Sequence, residues 1–352
     1  MEAAVARVIS TGGFILGPAV EAFESAFAAY CGRRHCIAVN SGTSGLHLAL
    51  LGARVGPGDE VITSPHGWIS TAWAIRYVGA RPVFADVDQA TGNLDPDAAE
   101  AAIGPATRAI IAVDLYGGPA DHGLFEQLAA RHGITLIEDA AQAHGATLRG
   151  RSAGSFGLAS CFSFYPTKNL GAAGEAGAVV TDDDDLAARL RRLRDHAQVS
   201  RHVHDETGFN YGMEGIQGAV LSIKLPHLDA WNEQRRVAAE SYAKRLSDLG
   251  AVELPTTTVG AEHVWHLYVV RVRDRERIAE LLRPNGVEVG FHYPTPMHLQ
   301  PAFADLGYTP GSFPIAEDFA ARCLSLPMFP TISDEQLDHV AEQLRHAVGA
   351  RA

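Results

Sequence analysis

The chain has 352 residues, 47% hydrophobic and 20% charged, with 35 glycines and 18 prolines. This is the composition of a folded globular protein, long enough for one large domain and a smaller one. A formal net charge of −12 argues against nucleic acid or an anionic membrane as the main partner, although backbone N–H groups at a helix start can still hold a phosphate.

No run approaches the ~18 apolar residues of a membrane span, and the first residues lack a charged-then-apolar signal, which predicts a cytoplasmic protein. The four cysteines, Cys31, Cys36, Cys161 and Cys323, lack zinc-site spacing, so reduced thiols and no metal site are expected.

Met1–Ser10 fits a short helix before the turn Thr11-Gly12-Gly13. Pro18–Tyr30 places Val20, Phe23, Phe27 and Tyr30 at helical spacing, with proline suited to the first turn. Cys36–Asn40 is a short β-like run leading into Ser41-Gly42-Thr43-Ser44-Gly45 and the apolar Leu46–Leu51. Strand, small polar turn and helix is the geometry in which a helix start offers N–H groups to a phosphate, though the same residues also cap helices that bind nothing.

Strand-like and helix-like runs then alternate: Glu60–Thr63, Ile69–Val78, Pro82–Val87, Pro96–Ile103, Arg108–Leu115, Leu124–His132 and Ile134–Glu138. The alternation predicts βαβ units and a mainly parallel sheet, whose ligands bind at the carboxyl ends of the strands. Gly42, Thr43, Ser44, Trp68, Asp139 and Lys168 fall at such ends. Asp139 closes an apolar strand, where a charge is costly without a cationic partner; a helix N-cap is the competing reading. The run Cys161–Gly171 is an apolar strand that stops at Pro166, presents Lys168 and enters the glycine-rich loop 172–177. Such a lysine is either solvated or a nucleophilic amine.

Asp182–Asp185 precede the arginine-rich Leu186–Arg194, where a helix N-terminus favours negative charge. Asp195–Gly208, with His196, His202 and His204, reads as a solvated loop. Met213–Leu246 is helical and broken at Pro226, which sets the expected domains at 1–225 and 226–352, with residues 1–12 packing on the smaller one. That smaller domain is expected to contain a strand, Val264–Val272 (with His263 and His266 nearby), a helix Arg275–Arg283, then Val287–Tyr293, a loop Pro294–Pro301 and a final helix Asp334–His346.

These pieces fit one ligand with a phosphate, a basic ring nitrogen and an aldehyde: pyridoxal 5′-phosphate (PLP). The Gly42-Thr43-Ser44 turn would hold the phosphate, Asp139 the ring nitrogen and Lys168 the aldehyde. Trp68 suits stacking on the ring, or core packing.

Four motifs carry a resemblance that spans nearly the whole chain: Asn40-Ser41-Gly42-Thr43-Ser44-Gly45-Leu46, Trp68-Ile69-Ser70-Thr71, Glu138-Asp139-Ala140-Ala141-Gln142-Ala143-His144-Gly145 and Ser163-Phe164-Tyr165-Pro166-Thr167-Lys168-Asn169-Leu170-Gly171. The chain resembles the DegT/DnrJ/StrS family of PLP-dependent sugar aminotransferases of fold type I. The resemblance implies an α/β fold: a large domain with a mixed, mainly parallel seven-stranded sheet flanked by helices, plus a smaller α/β C-terminal domain. It implies Lys168 as the Schiff-base lysine, Asp139 on the pyridinium nitrogen, Gln142 on the ring hydroxyl and Trp68 stacked on the ring. Ser163 joins the N–H groups of Thr43 and Ser44 at the phosphate. Asn210 would reach the phosphate of a partner subunit's cofactor, so a homodimer with shared active sites is implied.

The implied activity moves an amino group from L-glutamate or L-glutamine to a keto sugar, with pyridoxamine 5′-phosphate as the amino-carrying form. His292-Tyr293-Pro294 and Pro296–Pro301, with His298, are similar to relatives that aminate dTDP-linked 3-keto-6-deoxyhexoses in amino-sugar, antibiotic or polysaccharide biosynthesis. A 4-keto nucleotide sugar or a keto-cyclitol is the alternative substrate. Relatives with histidine at the lysine position dehydrate instead; Lys168 favours transamination. A PLP-fold partner or regulator without transaminase activity is the reading from another class. The chain departs from the family pattern at Gly212, where arginine is usual near the substrate nucleotide, at His66-Gly67, at Ala176 and in beginning about one helix short.

Overall fold

Short β-branched and aliphatic runs, each followed by an amphipathic stretch, build the observed sheet. The computed structural model describes residues 1–350. The seven strands are β1 (His35–Val39), β2 (Glu60–Thr63), β3 (Arg81–Phe84), β4 (Thr107–Val113), β5 (Thr135–Asp139), β6 (Ala159–Ser163) and β7 (Gly177–Thr181), in spatial order β1-β7-β6-β5-β4-β2-β3. Only β7 runs antiparallel to its neighbours. With no crossover helix between β6 and β7, the chain returns antiparallel.

Helices cover both faces. They are α1 (Glu2–Thr11), α2 (Pro18–Cys31), α3 (Gly42–Gly52), α4 (Ser70–Tyr77), α5 (Pro96–Ala101), α6 (His122–His132), α7 (Asp184–Arg194), α8 (Gly215–Lys224) and α9 (Leu228–Leu246). On one face Phe27 meets Phe162 and Phe164 edge-on, at centroid distances of 5.0 and 5.1 Å. Truncating such a fully buried phenylalanine costs about 3–5 kcal/mol. Asp183 caps α7 by accepting from the Leu186 N–H at 2.8 Å, and Asp184 and Asp185 occupy its first turn, where the helix dipole favours them.

Beyond α9 lie β8 (Val252–Glu253), β9 (Tyr268–Val272), α10 (Arg275–Leu282), α11 (Pro314–Arg322), β10 (Cys323–Leu326) and α12 (Asp334–Gly349); β9 pairs with both β8 and β10. Tyr242, Tyr268, Leu324 and Leu344 belong to this second core. Pro226 lies in a single 3₁₀ turn, Leu225–His227, between α8 and α9. Helix α9 serves both cores: Leu228 packs with Phe162 and Phe164, while Ala238, Tyr242 and Leu246 pack against Tyr268 and Leu344.

Three features differ from the expectations. Helix α1 packs on α8 rather than on the smaller domain: the chain after it bridges Ile15 to Glu214, and a side chain at Gly215 would strike the Gly13 carbonyl. The strand expected from Val264 begins at Tyr268, because Val264 is held elsewhere: its N–H donates to the Gly117 carbonyl at 2.9 Å, and its side chain joins the core beside Phe162 and Phe164. The segment carrying Met297, Phe303 and Phe319 packs on Ala72, Phe84 and Val87 of the first domain. The polar stretch after α7 forms a small ribbon, Gln198–Ser200 with Val203–His204, in which His202 and His204 are exposed.

Candidate active site

Parallel strands point their carboxyl ends one way, so the residues after β1, β2, β4, β5 and β6 share one rim of the sheet. After β1, Ser41 caps α3 by accepting the Ser44 N–H at 3.1 Å, and the Ser44 hydroxyl donates to Asn40 at 2.7 Å. The Ser44 N–H, expected to face a phosphate, donates here to the Ser41 hydroxyl. Gly42 and Thr43 are the first two residues of α3, where a helix leaves its N–H groups free. Two glycines make room at this point. A β-carbon on Gly42 would lie 2.8 Å from Cβ of Ser163, and one on Gly177 would lie 2.3 Å from the Ser41 carbonyl carbon. Gly42, Thr43 and Ser163 are thus brought together at the start of α3.

Asp139 ends β5, 4% exposed. Its Oδ2 accepts the Thr71 hydroxyl at 2.7 Å and its Oδ1 the Ala141 N–H at 3.2 Å. Burial pushes the carboxyl up from its ordinary range, while the Thr71 hydroxyl, the Ala141 N–H and the charge of Lys168 pull it back. The helix-cap reading of Asp139 fails, since no helix follows it. Thr71 lies within a quoted motif, yet periodicity on α4 only marks it as buried. Thr71→Val is expected to raise the Asp139 carboxyl further and lower kcat ~10-fold at unchanged KM, as befits one hydrogen bond to a charged group; steady-state kinetics of the variant check this.

Lys168 lies on the loop after β6, its N–H donating to the Tyr165 carbonyl at 2.8 Å. Burial lowers its amine to about 8, with Asp139 opposing. Near neutral pH about a tenth of the amine is then neutral, far more than an ordinary lysine offers, and the neutral form is the one that attacks an aldehyde. Gly171 closes this loop so tightly that a β-carbon would meet the Pro166 carbonyl oxygen at 2.4 Å.

Trp68 is 56% exposed, which excludes the core-packing reading; its indole faces Tyr293 at 5.7 Å. Gln142 accepts the Tyr116 N–H at 2.6 Å and donates to the Tyr293 hydroxyl at 3.0 Å. His292 bonds the Ser325 hydroxyl at 2.7 Å, and both burial and the Lys168 charge depress its pKa. The structure does not bring His298 to this group. Buried at 2% exposure, it bonds Glu317 at 3.1 Å and lies edge-on to Phe313, a loop-holding role. Asn210 is exposed beside the start of α3, its carbonyl accepting from Asn40 at 3.3 Å. Gly212 bridges Val39, and Ile15 and Leu16 lie 3.3 Å from where a β-carbon would stand.

Behind Asp139, the buried side chains of Asp114, His122 and Glu138 converge within 4.8 Å. Glu138 already accepts N–H bonds from Gly154 and Phe156 and an O–H bond from Ser160, and Asp114 accepts from Ala120 and His122. Burial pushes both carboxyls up to about 8. Protein donors occupy Glu138 and Asp114 Oδ1, while Asp114 Oδ2 is buried without a partner, and the cluster links the end of β4, β5 and α6.

Tyr116 was missed from the sequence although the strand-end rule reaches it: it follows β4 by three residues.

A depressed lysine amine, a buried carboxylate and a glycine-lined helix start on one rim suit PLP by the chemistry of each group. This combination on a seven-stranded, mainly parallel sheet is that of a PLP-dependent aminotransferase. The model of the DegT/DnrJ/EryC1/StrS aminotransferase family matches residues 1–345, and the chain belongs to that family. It is 47% identical over 345 residues to the erythromycin biosynthesis sensory transduction protein EryC1 of Saccharopolyspora erythraea, covering 98% of this chain and 94% of that one. It is 45% identical over 344 residues to the dTDP-3-amino-3,4,6-trideoxy-alpha-D-glucose transaminase of Streptomyces venezuelae, covering 98% and 91%. The crystal structure of S. venezuelae DesV in complex with a ketimine intermediate superposes with a TM-score of 0.97 at 44% identity, covering 100% of this chain and 95% of that one. The fold and cofactor expectations therefore hold.

Proposed function

We propose that this aminotransferase moves an amino group from L-glutamate or L-glutamine to the C3 ketone of a dTDP-linked 6-deoxyhexose. The observation that carries this reading is the near full-length likeness to a transaminase named for a dTDP-3-amino sugar, joined to a rim where Lys168 and Asp139 are both in place. When bound, PLP supplies the electron sink for a carbanion at the amino-bearing carbon. Lys168 Nζ would hold the aldehyde group, and the same amine is placed to carry a proton to and from the amino-bearing carbon. Asp139, oriented by its Thr71 and Ala141 donors, would face the ring nitrogen and favour its protonated form. Gly42, Thr43 and Ser163 would hold the phosphate, and Trp68 would cover one face of the ring.

Gly212 offers no cation to a nucleotide diphosphate, and Ile15 and Leu16 crowd the space beside it, so that contact must come from another part of the site. The experiment is a panel of dTDP-linked 3-keto and 4-keto sugars and keto-inositols with glutamate as donor. Amination of a 4-keto sugar or an inositol alone would sink the C3 assignment.

The active unit is a homodimer in the cytoplasm. Phe14 and Ile15 are 50% and 60% exposed, with Ile15 beside Gly212, an apolar pair suited to a second copy. Mixing Lys168→Ala with Asn210→Ala protomers is expected to restore about a quarter of wild-type turnover or less, through one intact site in hybrid dimers. No restoration under conditions that exchange subunits would show the sites are not shared.

A second reading, a regulator without turnover, draws on the sensory-transduction name of the EryC1 relative. Glutamate separates the two: a transaminase changes its visible absorption on mixing, and a silent partner does not.

A further inference from the structure

Tyr116 sits at the centre of a closed ring of hydrogen bonds that joins the two domains beside the cofactor rim. Its N–H donates to Gln142 Oε1 at 2.6 Å, its hydroxyl donates to the His292 carbonyl, and Gln142 Nε2 donates to the Tyr293 hydroxyl at 3.0 Å. The orientation of each group follows from donor counting. A backbone N–H can only donate, so the end of Gln142 facing Tyr116 is its oxygen, and the NH₂ faces Tyr293 and the rim. The Tyr116 hydroxyl has one proton, engaged by a carbonyl that can only accept. His66 Nε2, 2.8 Å from that hydroxyl, must then carry a proton and donate. Burial drives the His66 imidazole down to about 4, so it is neutral. The chain therefore runs His66 to Tyr116 to the His292 carbonyl, tying the loop that presents Trp68 to the segment that presents Tyr293.

We propose that Tyr293 is a positioning residue for Gln142: it takes one N–H of the amide and leaves the other aimed at the ring hydroxyl oxygen of the cofactor, with Tyr116 and His66 holding Tyr293 in register. This rests on the cofactor reading above, in which Gln142 faces that oxygen. Without Tyr293 the amide rocks about its Tyr116 bond, and the donor is misaimed for part of the time. The ring oxygen then holds its proton more tightly. The groups facing the Tyr293 hydroxyl are Gln142, Asp139 and Tyr116, with His292 preceding it and Trp68 across its ring.

The test uses the PLP-loaded protein with no substrate present. In Tyr293→Phe, the pH midpoint of the visible band is expected to rise by roughly half a unit to one unit, as a weakened rather than lost charge-assisted hydrogen bond implies. Tyr116→Phe keeps the backbone bond to Gln142 and cuts the His292 and His66 links, so it should shift the midpoint in the same direction by less. The PLP dissociation constant should rise in the same order; the Tyr293→Phe apo-protein should melt with wild type, whereas Tyr116→Phe, which leaves a buried His66 N–H unpaired, should melt somewhat lower. An unmoved midpoint in Tyr293→Phe overturns the proposal. So does a change confined to KM for the keto sugar, which would make Tyr293 a substrate contact only. If wild-type protein and Lys168→Ala both fail to develop a visible band with PLP, it is the cofactor reading that fails.

Discussion

Lys168→Ala is expected to remove the visible band formed with PLP and to lower turnover by at least ~10⁴-fold, because the same amine acts as nucleophile and as proton carrier. The folded state should survive. Nζ of Lys168 makes no hydrogen bond among the described residues, and burial disfavours its charge more than Asp139 favours it, so the substitution removes a desolvated amine, and the Asp139 carboxyl it leaves keeps its Thr71 and Ala141 donors. Apo-protein melting should be unchanged or slightly raised. Because the missing group is an amine, small exogenous amines should restore part of the proton transfer, in proportion to their concentration and basicity. Retained turnover without the lysine would refute the assignment.

Asp139→Asn is expected to cost ~10³-fold in kcat. A neutral amide cannot keep the ring nitrogen protonated, so the sink for the carbanion weakens in both half-reactions. Single-turnover rates with glutamate and with the keto sugar should fall together, whereas a donor-binding defect would lower only the first. The fold gives a clean reading here too. Asn can keep its one oxygen toward the Ala141 N–H and donate its NH₂ to the Thr71 hydroxyl, which turns to accept, and a buried neutral group costs less than a buried carboxylate. Loss of activity with full stability separates a role in chemistry from a role in packing.

Much of this site was legible because strand-end position is a local property. The run Ile134–Asp139 announces a buried strand, and the parallel topology then puts Asp139 on the same rim as Gly42, Trp68 and Lys168. The features that escaped depend on partners far apart in the chain. Gln142 and Tyr293 are separated by 151 residues, Tyr116 and His292 by 176, and Thr71 and Asp139 by 68. No periodicity records such pairs. His298 shows the converse: a histidine in a suggestive loop, turned by Glu317 and Phe313 into a brace.

By itself, the sequence determined the alternating α/β plan, the lysine, the aspartate and the glycine-lined phosphate turn, since hydrophobic period, proline and glycine act within a few residues of themselves. The tertiary structure alone decided three further matters. Ser41 takes the Ser44 N–H and leaves Gly42 and Thr43 as the first residues of α3 without a side-chain cap. The chain around Met297–Phe319 returns to the first domain. Gln142 shows its NH₂ rather than its oxygen to the rim. Each depends on which donor reaches which acceptor, or which apolar face finds a partner, once the strands have brought distant residues together.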